Sequence, residues 1–309
     1  MFILKTNYEN IHMNKLTIAI SSRALFDLTK SHKIFEKKGV KAYAKYQQEN
    51  ENNILEPGVG FSLVKKILNL SNNNLPIDVI LLSSNSAETG LRIFNSIEEH
   101  QLNITRAVFT RGAKTYPYLK PLEVDLFLSS SNEDVKQALD AGYAAASILS
   151  STHKPNDNKQ LRIAFDGDAV IFSDESERIY QKNGLSAFEE NEKKLANKPL
   201  KAGRFEPFLK VLQQLQSYFP EDDNPIRTAL VTARSAPSHK RVIYTMRKRG
   251  IRLDEAFFLG GLDKGKFLAE FGADIFFDDQ AKHCQSAMDY GIATGHVLDG
   301  VKNENIIKE

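Results

Sequence analysis

Short, almost purely apolar runs alternate with longer amphipathic or charged stretches along most of the chain. Runs at 16–20, 78–82, 106–110 and 124–128 are followed by runs at 161–165, 227–231, 255–259 and 273–277. Such runs, rich in β-branched and aromatic residues and lacking polar alternation, are the signature of strands buried on both faces. The stretches between them predict helices, including amphipathic ones at 61–70 and 205–218 and one ending near Gln101 or Gly250. Gly39 and Gly184 read as C′ glycines that close a helix before a second, charged helix begins. Strands alternating with helices predict an α/β fold with a mainly parallel sheet and helices on both faces. In the stretch LRIAFDGDAVIFSD, residues 161–174, a second apolar run at 169–172 follows the first and reads as another short strand.

The two sets of runs are also the same set twice. A shift of 145 residues places Leu16 on Leu161, Ile18 on Ile163, Ser31 on Ser176, Gly39 on Gly184 and Gly58 on Gly203. After four extra residues at 221–224 the shift becomes 149. It then brings Pro76, Arg92, Gly112, Asp125 and Gly142 onto Pro225, Arg241, Gly261, Asp274 and Gly291. Shared periodicity explains matched apolar positions, but not glycines, aspartates and an arginine in constant register, so an internal duplication is expected. The boundaries follow: residues 1–150 form one copy, residues 151–309 the other, and the polar segment 150–160 links them.

Composition narrows the class of protein. The 309 residues are 41% hydrophobic and 26% charged with a net charge of +2, without the basic excess of a nucleic-acid or membrane-surface protein. No nucleic-acid polymer and no membrane is therefore expected as a partner. One cysteine, Cys284, excludes an internal disulfide; it fits a reducing compartment and reads as a small buried apolar residue. The start, MFILKTNYENIHMNKL, lacks a signal-peptide pattern, and no run reaches membrane-spanning length. The expected location is the cytoplasm, with either Met1 or Met13 as the true start.

Candidate chemistry is confined to the second copy. Asp166-Gly167-Asp168 ends one strand, Thr232 another, Lys264 precedes a helix, and Asp278-Asp279 ends a further strand. In a parallel sheet these carboxyl ends share one edge and converge. Carboxylates gathered there repel one another unless a cation neutralises them, and hard oxygen ligands suit Mg²⁺. At the matching positions the first copy has Ser21, Ser22 and Arg23, then Ser83, Thr115, Ser129 and Ser130. The acids and the lysine are lost while scaffold positions persist. Taken alone, Thr232 reads equally as a helix N-cap and Lys264 competes with Lys266. Arg234 could serve a phosphate, a ribose or a glutamate.

The order of these motifs resembles the haloacid dehalogenase superfamily. More narrowly, FDGDAVIFSDESERI, LVTARSA, GLDKGKFL and IFFDDQ, with ALFDL and VILLSSNSA in the first copy, are similar to the type I cytosolic 5′-nucleotidases. The resemblance implies a duplicated haloacid dehalogenase-like sheet with a helical cap at about 174–203. Asp166 would be the nucleophile and Asp168 the general acid and base. Gly167, Thr232, Ala233 and Lys264 would bind phosphate, the G-x-x-K-G spacing selecting Lys264 over Lys266. Mg²⁺ would be held by Asp166, Asp168 through its carbonyl, and Asp278 or Asp279, between which spacing does not choose. Cap residues would read the leaving group: Tyr180 and Phe188 could stack on a base, although aromatics at helical spacing read first as core. Asp174-x-x-Glu177 reads as a capping box opening the cap helix. Lys240, Arg241 and Arg247–Arg249 read as a solvated basic face.

The function expected is Mg²⁺-dependent hydrolysis of nucleoside 5′-monophosphates. The alternatives are a phosphatase of another small phosphate ester and a non-catalytic nucleotide-binding protein. For the first copy a structural role is expected, packing on the second or giving a dimer face to a homo-oligomer; a degenerate regulatory site is the other option.

Overall fold

The computed structural model describes residues 15–72, 75–149 and 159–304. Residues 1–14, with Met13, and most of the expected linker lie outside them. Among the described residues there are ten strands. The first five are β1 (Leu16–Ile20), β2 (Ile77–Ser83), β3 (Arg106–Phe109), β4 (Leu126–Ser129) and β5 (Ala145–Leu149). The others are β6 (Leu161–Phe165), β7 (Ile226–Thr232), β8 (Glu255–Phe258), β9 (Ile275–Asp278) and β10 (Ala293–His296). All belong to one sheet of order β3-β2-β1-β4-β5-β10-β9-β6-β7-β8. Every neighbouring pair is parallel except β5 and β10, which meet antiparallel. The order is the same read inward from either edge, so two five-stranded halves of one topology meet at the β5·β10 seam.

Helices cover both faces. The first half carries α1 (Ser22–Leu25), α2 (Thr29–Glu49), α3 (Phe61–Asn72), α4 (Ala87–Glu99) and α5 (Asn132–Asp140). The second carries α6 (Glu175–Lys194), α7 (Glu206–Gln216), α8 (His239–Arg249), α9 (Lys264–Phe271) and α10 (Ala281–Asp289). Successive strand side chains point to opposite faces, so on one side Phe165 stacks on Phe277 and meets Phe205 and Phe208 edge-on. Ala164, Ala229, Val231 and Phe276 pack with Leu268 and Ala287 of α9 and α10 on the other. Asp125 and Asp274 are scaffold acids. Each accepts the backbone N–H opposite it at 2.8 Å, from Thr17 and Arg162 respectively, and Asp274 also holds Lys66 of the first half at 2.7 Å.

Four local expectations are corrected. Residues 169–172 are not a strand but a buried turn in which Ala169 has φ 61° and the Phe172 N–H donates back to the Gly167 carbonyl. Gly39 (φ 77°, ψ −176°) and Gly184 (φ 80°, ψ −178°) do not close their helices in a left-handed cap; they kink α2 and α6, whose two segments run on without a loop. Asp174 makes no capping box, because its carboxylate accepts the Val301 N–H and pairs with Arg178 instead. Arg241 belongs to no solvated face: it is 2% exposed and packs beneath α6.

Candidate active site

Parallel pairing aligns the carboxyl ends of β6, β7 and β9, and the residues following those ends form the site. Asp166 follows β6 at 5% exposure, Thr232 closes β7, and Asp278 ends β9 with Asp279 behind it. Lys264, the first residue of α9, reaches in at 2% exposure. Its Nζ lies 2.5 Å from Asp166 Oδ1 and 2.6 Å from Asp278 Oδ2. Asp278 is otherwise taken up by the Gln280 N–H at 2.8 Å and by His283 Nδ1 at 3.1 Å. Asp279 is different: it is buried, and its Oδ1 has no hydrogen-bond partner among the described residues.

One carboxylate oxygen from each of Asp166, Asp278 and Asp279 can be chosen so that all three lie within 4.8 Å of one another. Burial and the neighbouring carboxylates of Asp278 and Asp168 push the Asp166 carboxyl up to about 6, against the pull of Lys264. Burial, then Asp278 and Asp166, push Asp279 well above the usual carboxylate range. Burial opposes the charge on Asp278 too, yet Lys264 and His283 hold its carboxyl below the usual range. The same acids hold the Lys264 ammonium charged despite its burial. Three carboxylates therefore surround one ammonium, and one of them, Asp279, keeps an oxygen with no partner among the described residues. The donors are hard oxygens, as a small divalent cation requires.

The remaining expected residues gather around this cluster. A Cβ on Gly167 would lie 3.6 Å from Thr232 Oγ1, so the two flank one space. Thr232 Oγ1 accepts the Arg234 N–H at 3.2 Å, which makes it a turn former rather than a helix cap. Ala233 is exposed at the tip of that turn. Asp168 meets Arg234 in a two-pronged ion pair at 2.7 and 2.8 Å, while the third guanidinium nitrogen reaches Glu192 Oε2 at 2.5 Å. Arg234 is thus paired with two carboxylates, a glutamate among them. Its guanidinium lies 5.2 Å from the Phe188 ring, which meets Tyr180 edge-on. Phe188 is half-buried and Tyr180 is 42% exposed, so neither is core.

Glu192 itself carries no sequence-based expectation, and its partners Ser176 and Arg241 are expected only as repeat matches, Arg241 also as part of a solvated face. The available signal was the repeat, in which Arg92 matches Arg241 and Gln47 falls on Glu192. Cys284 is fully buried and burial raises its thiol, as expected of an inert core residue. In the first half the matching positions are tied to one another: Ser22 and Ser83 hydroxyls lie 2.9 Å apart, and Ser21 Oγ accepts the Ser130 N–H.

An α/β protein with paired acids, a hydroxyl and a buried lysine at the carboxyl edge of a parallel sheet has the parts to hold a cation and a phosphate-bearing ligand together. Comparison with known proteins narrows that class. The 5′-nucleotidase family matches the chain over residues 9–304. Human cytosolic 5′-nucleotidase 1B is 39% identical over 292 residues, covering 90% of this chain and 48% of that protein. The chain belongs to the 5′-nucleotidase family, and it spans about half the length of the curated relative it matches. No helix among the described residues is long and apolar enough to cross a membrane.

Proposed function

We propose that this protein hydrolyses nucleoside 5′-monophosphates to nucleoside and phosphate in a Mg²⁺-dependent reaction in the cytoplasm. The observation that carries the reading is the buried cluster of Asp166, Asp278 and Asp279, with Asp166 held by Lys264 and Asp279 keeping an unpartnered oxygen, in a chain of this family. An Asp166 oxygen forms a bond to phosphorus as the bond to the 5′-oxygen breaks, the departing electron pair taking a proton from Asp168. Water then gives its proton to Asp168 as its oxygen attacks the phosphoaspartate, and Asp166 leaves as a carboxylate. The Lys264 ammonium, the Thr232 hydroxyl and the backbone around Gly167 and Ala233 hold the phosphoryl oxygens, since positioning and charge neutralisation supply most of such catalysis.

Asp166, the Asp168 carbonyl and Asp279 would hold Mg²⁺, Asp278 being committed to Lys264, His283 and Gln280. When bound, the ion neutralises phosphoryl charge. The cap is α6 with the turns leading to Gly203, and Tyr180 on its exposed side is the residue offered to the base. Residues 151–309 are read as the catalytic unit, and residues 1–150 as its non-catalytic duplicate with a structural role; the common strand order and the shared Asp125/Asp274 contacts support that reading.

The test is phosphate release from nucleoside 5′-monophosphates, 3′-monophosphates and sugar phosphates, each with Mg²⁺ and with chelator. Metal-dependent release confined to 5′-monophosphates is expected. Release from sugar phosphates alone would move the assignment to another small ester, and no release from any ester would leave a nucleotide-binding protein.

A further inference from the structure

Glu192 is a fully buried carboxylate on the cap helix, and it is not alone. Its Oε2 accepts Arg234 Nη1 at 2.5 Å, and its Oε1 accepts Arg241 Nη1 and Ser176 Oγ, both at 2.8 Å. Arg234 spends its other two nitrogens on Asp168, and Phe188, one helical turn before Glu192, covers the guanidinium. A continuous row of alternating charge therefore runs from the cap through Arg234 to the acid–base carboxylate. Side chains this deeply buried, at 4% exposure for Arg234 and 0% for Glu192, are fixed in geometry by one another.

The first half holds the same row with the charges at the Glu192 and Arg234 positions removed. Gln47 stands for Glu192, Asn85 for Arg234 and Tyr43 for Phe188, while Arg92 and Ser31 repeat Arg241 and Ser176. Gln47 Oε1 accepts Arg92 Nη1 at 3.1 Å, Gln47 Nε2 donates to Tyr43 Oη at 3.0 Å, and Tyr43 Oη donates to Asn85 Oδ1 at 3.1 Å. Neutral groups at the positions of Glu192 and Arg234 thus suffice, with Arg92 retained, to tie this helix to its sheet. The charges at Glu192 and Arg234 occur in the half where an aspartate, Asp168, stands at the end of the row; its counterpart, Arg23, needs no such partner.

We propose that Glu192 is a positioning residue for the phosphomonoesterase reaction: acting through Arg234, it aims the Asp168 carboxylate, so that seating the cap and aligning the proton donor are one event. This rests on the function proposed above. A proton is needed when the leaving group is a poor one, the alkoxide of a 5′-nucleoside, and hardly at all when it is p-nitrophenolate. Glu192→Gln keeps the shape and the hydrogen bond from the arginine beneath the helix, as Gln47 accepts Arg92, but turns an amide N–H toward Arg234 and so removes that one tie. The value of kcat/KM for a nucleoside 5′-monophosphate should fall on the order of tenfold or more, part of what a positioned acid contributes, and that for p-nitrophenyl phosphate should fall less than about threefold. The measure is kcat/KM because it ends at phosphoenzyme formation and leaves out the common hydrolytic step. Where Glu192→Gln alone fails to fold, the triple change Glu192→Gln, Arg234→Asn and Phe188→Tyr rebuilds the first half's neutral set and carries the same expectation. Equal loss on both esters, or none, would overturn the proposal and leave Glu192 a cap fastener. A wild-type protein inert to both esters would instead overturn the phosphomonoesterase reading itself.

Discussion

Asp279→Asn gives the sharpest test of the cation site, because it reverses sign with the metal. Without metal, the Asp279 carboxylate is buried beside Asp166 and Asp278, at oxygen separations within 4.8 Å, and its Oδ1 has no partner. At that distance two unit charges repel by about 3.5 kcal/mol at an effective dielectric constant of about 20. Proton uptake and the Lys264 ammonium relieve part of this, so the strain left at neutral pH is about 1–3 kcal/mol. Asparagine removes the charge and offers N–H donors to neighbouring carboxylates. In chelator the variant should therefore melt higher than wild type, by roughly 1.5–5 °C for a chain of this size. With Mg²⁺ at about 100 times its dissociation constant the wild type gains about 2.7 kcal/mol, and the variant gains little. The order of the two melting curves then inverts at Mg²⁺ concentrations where that gain exceeds the metal-free strain. Because the folded protein binds the Asp279 proton more tightly than the unfolded chain, the metal-free strain is present at neutral pH and fades as the pH falls through the raised folded value. Differential scanning fluorimetry at several pH values, with and without metal, reads all of this. A metal-free variant no more stable than wild type, or an equal gain from Mg²⁺ in both, would refute the assignment of Asp279.

Asp166→Asn keeps the shape of the proposed nucleophile and should lower turnover about a thousandfold or more while leaving the melting curve cooperative; wild-type turnover would remove Asp166 from the mechanism. Gly203→Ala would place a Cβ 2.2 Å from the Val170 carbonyl oxygen, a backbone collision expected to cost about 3 kcal/mol or more, and thermal unfolding no lower than wild type would show that the turn yields instead. Removing residues 1–150 should leave an aggregating remainder, since β10 then becomes an open sheet edge; a soluble, fully active product by size exclusion and phosphate release would defeat the structural role given to the first half.

Much of the site was legible because the chemistry sits where buried strands stop. An apolar run ending in Asp166, Thr232 or Asp278 announces both the strand and the edge it reaches. β5 and β10 were not visible: AASIL and ATGH are short and rich in small residues. The reason lies at the seam, where Gly295 has no room for a Cβ, which would lie 2.5 Å from Phe277 and 3.0 Å from Ala146. Residues 169–172 misled in the opposite sense, since apolarity reports burial and a buried turn is as apolar as a strand. Arg241 was misplaced because its neighbours in sequence are basic while its partner Glu192 lies 49 residues away. Non-local ion pairs leave no periodic trace. Asp174 matched a capping pattern, but the Val301 N–H, 127 residues on, competes for the same oxygen.

The two halves act as each other's control, and the comparison separates scaffold from chemistry. Both keep an aspartate clamping a central strand's backbone, a kinking glycine in the long helix, and an arginine beneath that helix. Those features belong to the fold, because the half without the acids keeps them. The contacts that cross the seam run one way in effect. β5 covers the edge of β10, and Lys66 of α3 reaches Asp274, whose other oxygen holds the Arg162 N–H near the start of β6. β6 is the strand that delivers Asp166. The first half therefore supports β6 from its amino end, while Lys264, itself held by Asp278, fixes the Asp166 side chain at the other. On the function proposed above, a half that contributes an edge partner and a strand clamp has reason to keep its scaffold residues and none to keep a nucleophile.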